Sequence, residues 1–533
     1  MKKAKITVHP EYKIGDVDPR LYGGYLEPIN NWVYGGMWNP KHPSADELGF
    51  RGDALNLIRE LGIPAVRLPG GNLVSGWEWR DSIGPVENRR ERLDLAWREY
   101  EPNLVGHDEY LAWAKKAGVE PLYTINLGTG DLESAMQCVD YTNHPGGTYW
   151  SELRRKHGYD KPHSVKTWCL GNEMDGPWQI RSYQKDPVEY GIKAHEISKV
   201  LKWTDPSIET VVCGTCSPLL HTYPKWDIQV LEQCYETVDY LSLHYYHGAG
   251  EGDIPGLLNA STVFEDFIRT CIASCDFIKA KLRTPRKMMI SFDEYGIHLG
   301  GKHSEMKYGL AGNIPIDSYM EFSKPHLDRP FRRIDPNDTK SMQGGNEMLN
   351  TLALSSVMLT LLRYADRIKI GCMTLMIGAG IAFDRDNVWK GAVYYPVEHM
   401  IKYGQGISIQ PAVISPSYDV NGYCLSQFSQ LPDYPDVSCI EAACAYNEEK
   451  NEVGIFFINR SGEPIEMELD ARGFENLKFS EHISMNDSTL KAINTAENPN
   501  AITPVKSKEA NLQNGKIFLT AQPYSWNVVR LEA

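Results

Sequence analysis

Eight short runs rich in β-branched and aromatic residues recur along the chain, near residues 22, 65, 121, 167, 211, 240, 289 and 369, with helical spacing between most of them. Strand–helix alternation of this kind needs parallel strands, because each return crossing is made by a helix. Eight such units predict a (β/α)8 barrel of the TIM type with long loops, assigned to residues 16–404. The competing doubly wound sheet would carry a G-x-G-x-x-G phosphate turn after its first strand, and none occurs there. The helices predicted between strands include Asp53 to Leu61, Asp108 to Lys116, Pro187 to Leu201, Thr262 to Leu282 and Glu347 to Tyr364, with a long loop at about 300–345.

The pattern changes from about residue 405. Short alternating runs such as 453–458, 465–469, 515–519 and 526–531 are separated by turn residues, which predicts a C-terminal all-β sandwich of jelly-roll type over 405–533. The first fifteen residues stand outside the barrel count and are expected to add a strand to it. A chain of 533 residues is long enough for both units.

Several strand-like runs end in polar groups, where a barrel's active site lies. Val165 to Leu170 runs through Gly171 into Asn172 and Glu173; Met288 to Phe292 runs into Asp293, Glu294 and then Gly296. Taken alone, Glu173 reads equally well as a loop glutamate capping a helix. Two glutamates delivered by two strand ends are instead what glycoside cleavage requires, one as acid/base and one as nucleophile or base. Glu27 ends the first strand, and Asn72 follows Pro69-Gly70-Gly71, a glycine pair that would let the backbone crowd a ligand or form a simple turn. His244 and Tyr246 end a further strand.

The net charge of −14 argues against a nucleic-acid partner, which needs a basic face. The 13 Trp and 29 Tyr give a weak preference for stacking on sugars over ordinary core filling. No stretch of 18 apolar residues and no signal-peptide pattern is visible, so neither a membrane partner nor export is expected and the chain is placed in the cytoplasm. The 11 cysteines fit reduced thiols; Cys213 and Cys216 have C-x-x-C spacing without a second pair, and read as strand-end thiols. No metal or other cofactor is expected. His244 and His247 are weakly spaced for a metal site, but two carboxylates explain catalysis without one.

Four stretches, Arg67–Asn72, Arg92–Trp97, Asn143–Trp150 and Trp168–Gln179, resemble the α-L-arabinofuranosidases of glycoside hydrolase family 51, from about residue 5 to residue 404. The resemblance implies a retaining double displacement with Glu294 as nucleophile and Glu173 as acid/base, their carboxylates about 5–5.5 Å apart. On this scheme the Glu294 anion raises the pKa of Glu173 until Glu294 is esterified. The resemblance also maps sugar-binding positions onto Glu27, Asn72, Asn172 and Tyr246, a histidine near the nucleophile onto His244, and a carboxylate-holding role onto Arg67. It implies homo-oligomers, often hexamers, acting exo on plant-type oligosaccharides.

The chain departs from the family in places. Tyr295-Gly296-Ile297-His298 stands where Trp-Asn-Val-Trp is usual, Trp389-Lys390-Gly391-Ala392 stands for Trp-Arg-Gln-Thr, and Leu375 and Gly378 lie where Gln and Asn are usual. A glycine offers no side-chain hydrogen bond, so a changed glycone (galactofuranose, or a xylo- or gluco-configured pyranoside) is the alternative expectation. So is an endo-β-glucanase cleft. A non-catalytic glycan-binding protein is the remote one.

Overall fold

The computed structural model describes residues 1–29, 31–250, 252–297, 328–335, 347–374, 376–422, 424–426, 429–508 and 511–533. His298, Leu375 and most of the 300–345 loop therefore lie outside the described residues. Eight parallel strands close a barrel: β1 Gly23–Tyr25, β2 Ala65–Leu68, β3 Glu120–Ile125, β4 Thr167–Leu170, β5 Glu209–Cys213, β6 Tyr240–His247, β7 Met289–Ile297 and β8 Ile368–Met373. They follow one another around the barrel in chain order, and β8 pairs with β1 to close it.

The intervening helices obey local rules. Helix Gly52–Leu61 buries Ala54, Leu55, Ile58 and Leu61 along one stripe and stops at Gly62, whose φ of 74° is left-handed. Helix Leu132–Asn143, which the spacing analysis passes over, starts where the Asp131 side chain accepts the Ser134 N–H. Helix Met348–Arg363 is buried on nearly every side. It packs against β7 on one flank and against strands Ile440–Asn447 and Glu452–Asn459 on another, so it has no solvent face to make polar.

Beyond the barrel lie a five-stranded and a seven-stranded sheet. Ile6, Ile455, Phe457, Met467, Leu469 and Val529 form a shared apolar core between them, the signature of a sandwich. The N-terminal residues supply a strand to each sheet. Lys2–Thr7 pairs parallel to Ile465–Asp470, and Lys13–Asp16 pairs antiparallel to Ile407–Ile409. Glu441, on the sandwich, ties the two units together through Arg363 at 3.0 Å and the Ser261 hydroxyl at 2.5 Å.

A small sheet outside both units was not foreseen. Strands Arg92–Asp94 and Glu99–Glu101 form a hairpin, and Arg332–Arg333 adds parallel to its second strand.

Candidate active site

The carboxyl ends of β2, β4, β6 and β7 converge. Arg67 projects from β2 and is fully buried. Its guanidinium makes three contacts: one terminal nitrogen donates to Glu294 Oε1, the other donates to Asn172 Oδ1 at 2.8 Å, and Nε lies 3.1 Å from Asp293 Oδ2. Asp293 and Glu294 are consecutive, and in a regular strand they would face opposite sides. The register of β7 shifts on both flanks, between Ser242 and His244 on β6 and between Phe292 and Tyr295 toward β8. This bulge lets both carboxylates reach one arginine.

Glu173 follows β4 in a tight turn. Gly171 has φ of 91° and Glu173 itself φ of 46°, a left-handed conformation that a side-chain-bearing residue seldom adopts. Its Oε1 lies 3.0 Å from His244 Nδ1, and its Oε2 accepts the Trp178 indole N–H at 2.5 Å. His244 is in register with Glu294 across the β6–β7 pair, and its Nδ1 is 3.6 Å from Glu294 Oε2. Tyr246 OH donates to the same Oε2 at 2.7 Å. One oxygen each of Glu173 and Glu294 and the His244 nitrogen all fall within 4.8 Å of one another. The two carboxylates are thus held close together, as a retaining pair requires, with one histidine reaching both.

The electrostatics correct one expectation. The Glu294 anion was expected to raise Glu173. Burial does push Glu173 upward, but the hydrogen bond and charge of His244, the Trp178 indole and Arg67 outweigh it, and Glu173 is held below its ordinary range. His244 shows the reverse balance. Burial opposes its charge, yet Glu294, the hydrogen bond to Glu173, and Asp293 push its pKa up to about 8. The resting site therefore keeps its proton on the imidazole side of the His244–Glu173 contact. The expectation overlooked a cation between the two acids.

Glu27 and Asn72 close the site on the β1–β2 side. Glu27 accepts the Tyr25 hydroxyl at 2.9 Å and the Gly71 and Leu73 N–H groups at 3.1 and 3.0 Å. Burial raises its pKa, against the pull of the Leu73 N–H. Asn72 Oδ1 accepts Asn172 Nδ2 at 2.9 Å and also the Gln179 amide. The glycine pair brings the backbone close to the site's own side chains. A Cβ on Gly71 would lie 2.5 Å from both Glu294 Oε1 and Tyr25 OH, so its backbone crowds the nucleophile candidate itself. Likewise a Cβ on Gly296 would meet Thr374 Oγ1 at 2.5 Å and the Tyr246 ring at 3.1 Å. That departure makes room for protein rather than for sugar. At the other departure, the Trp389 indole donates to Asn494 O at 2.8 Å, Lys390 reaches Glu60 at 2.6 Å, and Gly391 N–H donates to Gly380 O at 2.8 Å.

The eight candidate residues thus lie together, each bonded to another of the group or to its immediate supports. Tyr25, Trp178, Gln179 and Asp293 complete the cluster and were not singled out as site residues. Tyr25 was readable as the residue two before Glu27 on the same strand face, and Trp178 and Gln179 as the polar end of the Asn172-Glu173 loop. Among the described residues, Glu173, His244 and Glu294 are also the group whose ligand atoms are close enough to hold a metal ion. His247 is remote from that use, with its nitrogens 2.9 Å from Tyr245 OH and 3.0 Å from Gly256 O. Cys213 and Cys216 are buried and unbridged.

The profile of the α-L-arabinofuranosidase 1 domain matches residues 57–254, and that of the α-L-arabinofuranosidase C-terminal domain matches residues 316–525. The chain is 40% identical to the intracellular exo-α-(1→5)-L-arabinofuranosidase 1 of Bacillus subtilis, covering 100% of this chain and 99% of that one. It is 32% identical to an exo-α-(1→6)-L-arabinofuranosidase of Bifidobacterium longum, covering 100% and 98%. A solved family 51 α-L-arabinofuranosidase from Bifidobacterium longum superposes with a TM-score of 0.86 at 30% identity over 100% of both chains.

Proposed function

The chain belongs to the α-L-arabinofuranosidases of glycoside hydrolase family 51, and on that premise we propose that it is an exo-acting, retaining enzyme releasing terminal α-L-arabinofuranosyl residues from short plant-type oligosaccharides inside the cell. The observation that carries this reading is the pair of buried carboxylates, Glu173 and Glu294, within 4.8 Å of each other at the mouth of the barrel. Glu294, oriented by Arg67 and Tyr246, attacks the anomeric carbon as the glycosidic C–O bond breaks. The leaving oxygen takes the proton held by the Glu173–His244 pair. In the second step Glu173 accepts a proton from water, the water oxygen bonds to the anomeric carbon, and the ester bond to Glu294 breaks. Glu27, Asn72, Asn172, Tyr246 and His244 are assigned to the glycone. No metal enters this scheme, and activity unchanged by EDTA is the expected check.

The whole-length relatives are named for exo action on (1→5) and (1→6) linkages, and those two linkages are the first to assay. The filling of the space at Gly296 by Thr374 and Tyr246 favours arabinofuranose over a larger glycone. The word intracellular in the relatives' names supports the cytoplasmic placement, and among the described residues no helix is long and apolar enough to cross a membrane. The homo-oligomer implied by the family is checked by light scattering.

The test is hydrolysis of 4-nitrophenyl α-L-arabinofuranoside, β-D-galactofuranoside, β-D-xylopyranoside and β-D-glucopyranoside, with the anomer first released followed by NMR. Arabinofuranoside should dominate, with retention, and Glu173→Ala should lose about 10²–10⁴-fold. Preference for another glycoside, or an inverted first product, would overturn the reading.

A further inference from the structure

Amide side chains have two faces of opposite hydrogen-bonding sense, and a subsite built from them works only if each faces the right way. Here the direction can be traced from one end. Arg67 has donors only, so the Asn172 oxygen must face it, as it does at 2.8 Å. Asn172 therefore presents its nitrogen to Asn72, whose oxygen accepts at 2.9 Å. A second donor arrives at that same oxygen, the Gln179 amide nitrogen. Gln179 must offer nitrogen to that oxygen, and its own oxygen then accepts the Ser75 hydroxyl, at 2.7 Å. Ser75, Asn172 and Gln179 are all buried, at 1%, 1% and 6% exposure, and Asn72 is half-buried at the edge of the group.

The consequence falls on Asn72. With its oxygen doubly occupied, its NH2 group is the half left over, and among the described residues it makes no hydrogen bond. We infer that Gln179, seated on Ser75, is a positioning residue that fixes the direction of the Asn72 amide, so that the glycone subsite offers N–H donors at this point and selects a sugar oxygen acting as acceptor. This rests on the placement of Asn72 against the glycone in the proposed function. Arg67 and Asn172 alone would leave Asn72 held by a single bond, about which its amide can swing. The second donor removes that freedom.

Two variants test the assignment. Gln179→Leu keeps the bulk and loses the donor. Measured on whichever 4-nitrophenyl glycoside the wild type cleaves best, it should lower kcat/KM about tenfold or more, whereas in an Asn72→Ala background the same change should have little further effect. Equal losses in the two backgrounds would overturn the inference, since they would mean that Gln179 supports the loop and not Asn72. Gln179→Glu adds a signature that a loop-supporting role lacks. Protonated, the glutamate still donates to Asn72; ionised, it sets one acceptor against another. The ratio of variant to wild-type kcat/KM should therefore fall several-fold between pH 5 and pH 8, and a flat ratio would overturn the inference. Independently of turnover, the crystal structure of Gln179→Glu at pH 8 should show the Asn72 amide swung away from residue 179, and an unmoved Asn72 would count against it. Failure of the proposed function shows separately, as a wild type that prefers a non-arabinosyl substrate while the Gln179–Asn72 coupling persists.

Discussion

Two groups of buried carboxylates lie close to one another in this protein, and they behave in opposite ways. At the ends of β4 and β7, Glu173, Asp293 and Glu294 surround Arg67 and His244, and Glu173 is held below its ordinary range. Beside them, Glu27, Asp94 and Glu101 make no ion pair among the described residues. Burial, with the charge of Glu27 added, pushes Asp94 up to about 8, and burial pushes Glu101 up to about 7. Asp94 Oδ1 accepts the Ala96 and Trp97 N–H groups at 2.8 and 3.2 Å, and Glu101 accepts the Tyr34 hydroxyl and the Asn103 N–H. Residue type and burial are alike in the two groups; what differs is the supply of cations. Where arginine and histidine enter, a buried acid such as Glu173 is kept charged and available for chemistry. Where only N–H and O–H groups enter, it is driven toward its neutral form and serves as a fastener for the backbone.

Replacing an acid by its amide should break this comparison most sharply. Glu294→Gln should reduce kcat on 4-nitrophenyl α-L-arabinofuranoside by about 10³-fold or more, because an amide is a poor nucleophile. Asp94→Asn should stay within about threefold of wild type, because the amide oxygen still accepts both N–H groups. Comparable losses in the two variants would erase the distinction. Next in size, Arg67→Met strands Glu294 and Asp293 without their cation and should destabilise by about 3–5 kcal/mol, read as a fall in urea midpoint. Glu101→Gln should shift that midpoint far less.

The third effect is a pH profile. His244 must carry a proton to supply the Glu173 side, so kcat/KM should fall as pH rises through about 8, and His244→Gln should remove that limb together with most of the activity. The linkage to stability has the same sign. A histidine whose folded pKa lies above its unfolded value contributes fully below about 6.5 and loses that contribution as pH rises through about 8. A linkage of opposite origin belongs to Asp94, an acid whose folded pKa is raised. Between about 4 and about 8 the folded state holds the extra proton, so stability falls as pH rises across that window. Asp94→Asn should flatten this slope, raising Tm at pH 8 relative to pH 5 by a few degrees compared with wild type.

Much of the architecture is legible in the amino-acid sequence. The eight barrel strands stand out because buried parallel strands are continuous apolar runs, and most are closed by a glycine or an amide that breaks them. The Arg92–Glu101 hairpin escaped because its strands are three residues long, with Leu93 exposed, so no alternation marks it. At the site, Glu173 and Glu294 are readable as strand-end acids. Their protonation is not, since it depends on His244, which is 71 residues from Glu173 in sequence and 3.0 Å away in space. What Gly71 approaches is hidden in the sequence for a similar reason. A glycine pair announces close approach, but only the fold shows that what approaches is Glu294.

The first strand of the chain, Lys2–Thr7, lies parallel to Ile465–Asp470 in the sandwich. A ribosome therefore makes this strand about 450 residues before its partner, and at roughly 5–20 residues per second the wait is about half a minute to a minute and a half. During that interval the barrel can close while this segment waits as an unpaired edge carrying Lys2, Lys3 and Lys5. Those lysines later face Glu463, Glu466 and Glu468 at 3.0, 3.7 and 3.4 Å. Until then their like charges discourage the nascent edge from pairing with a neighbouring chain on the same message.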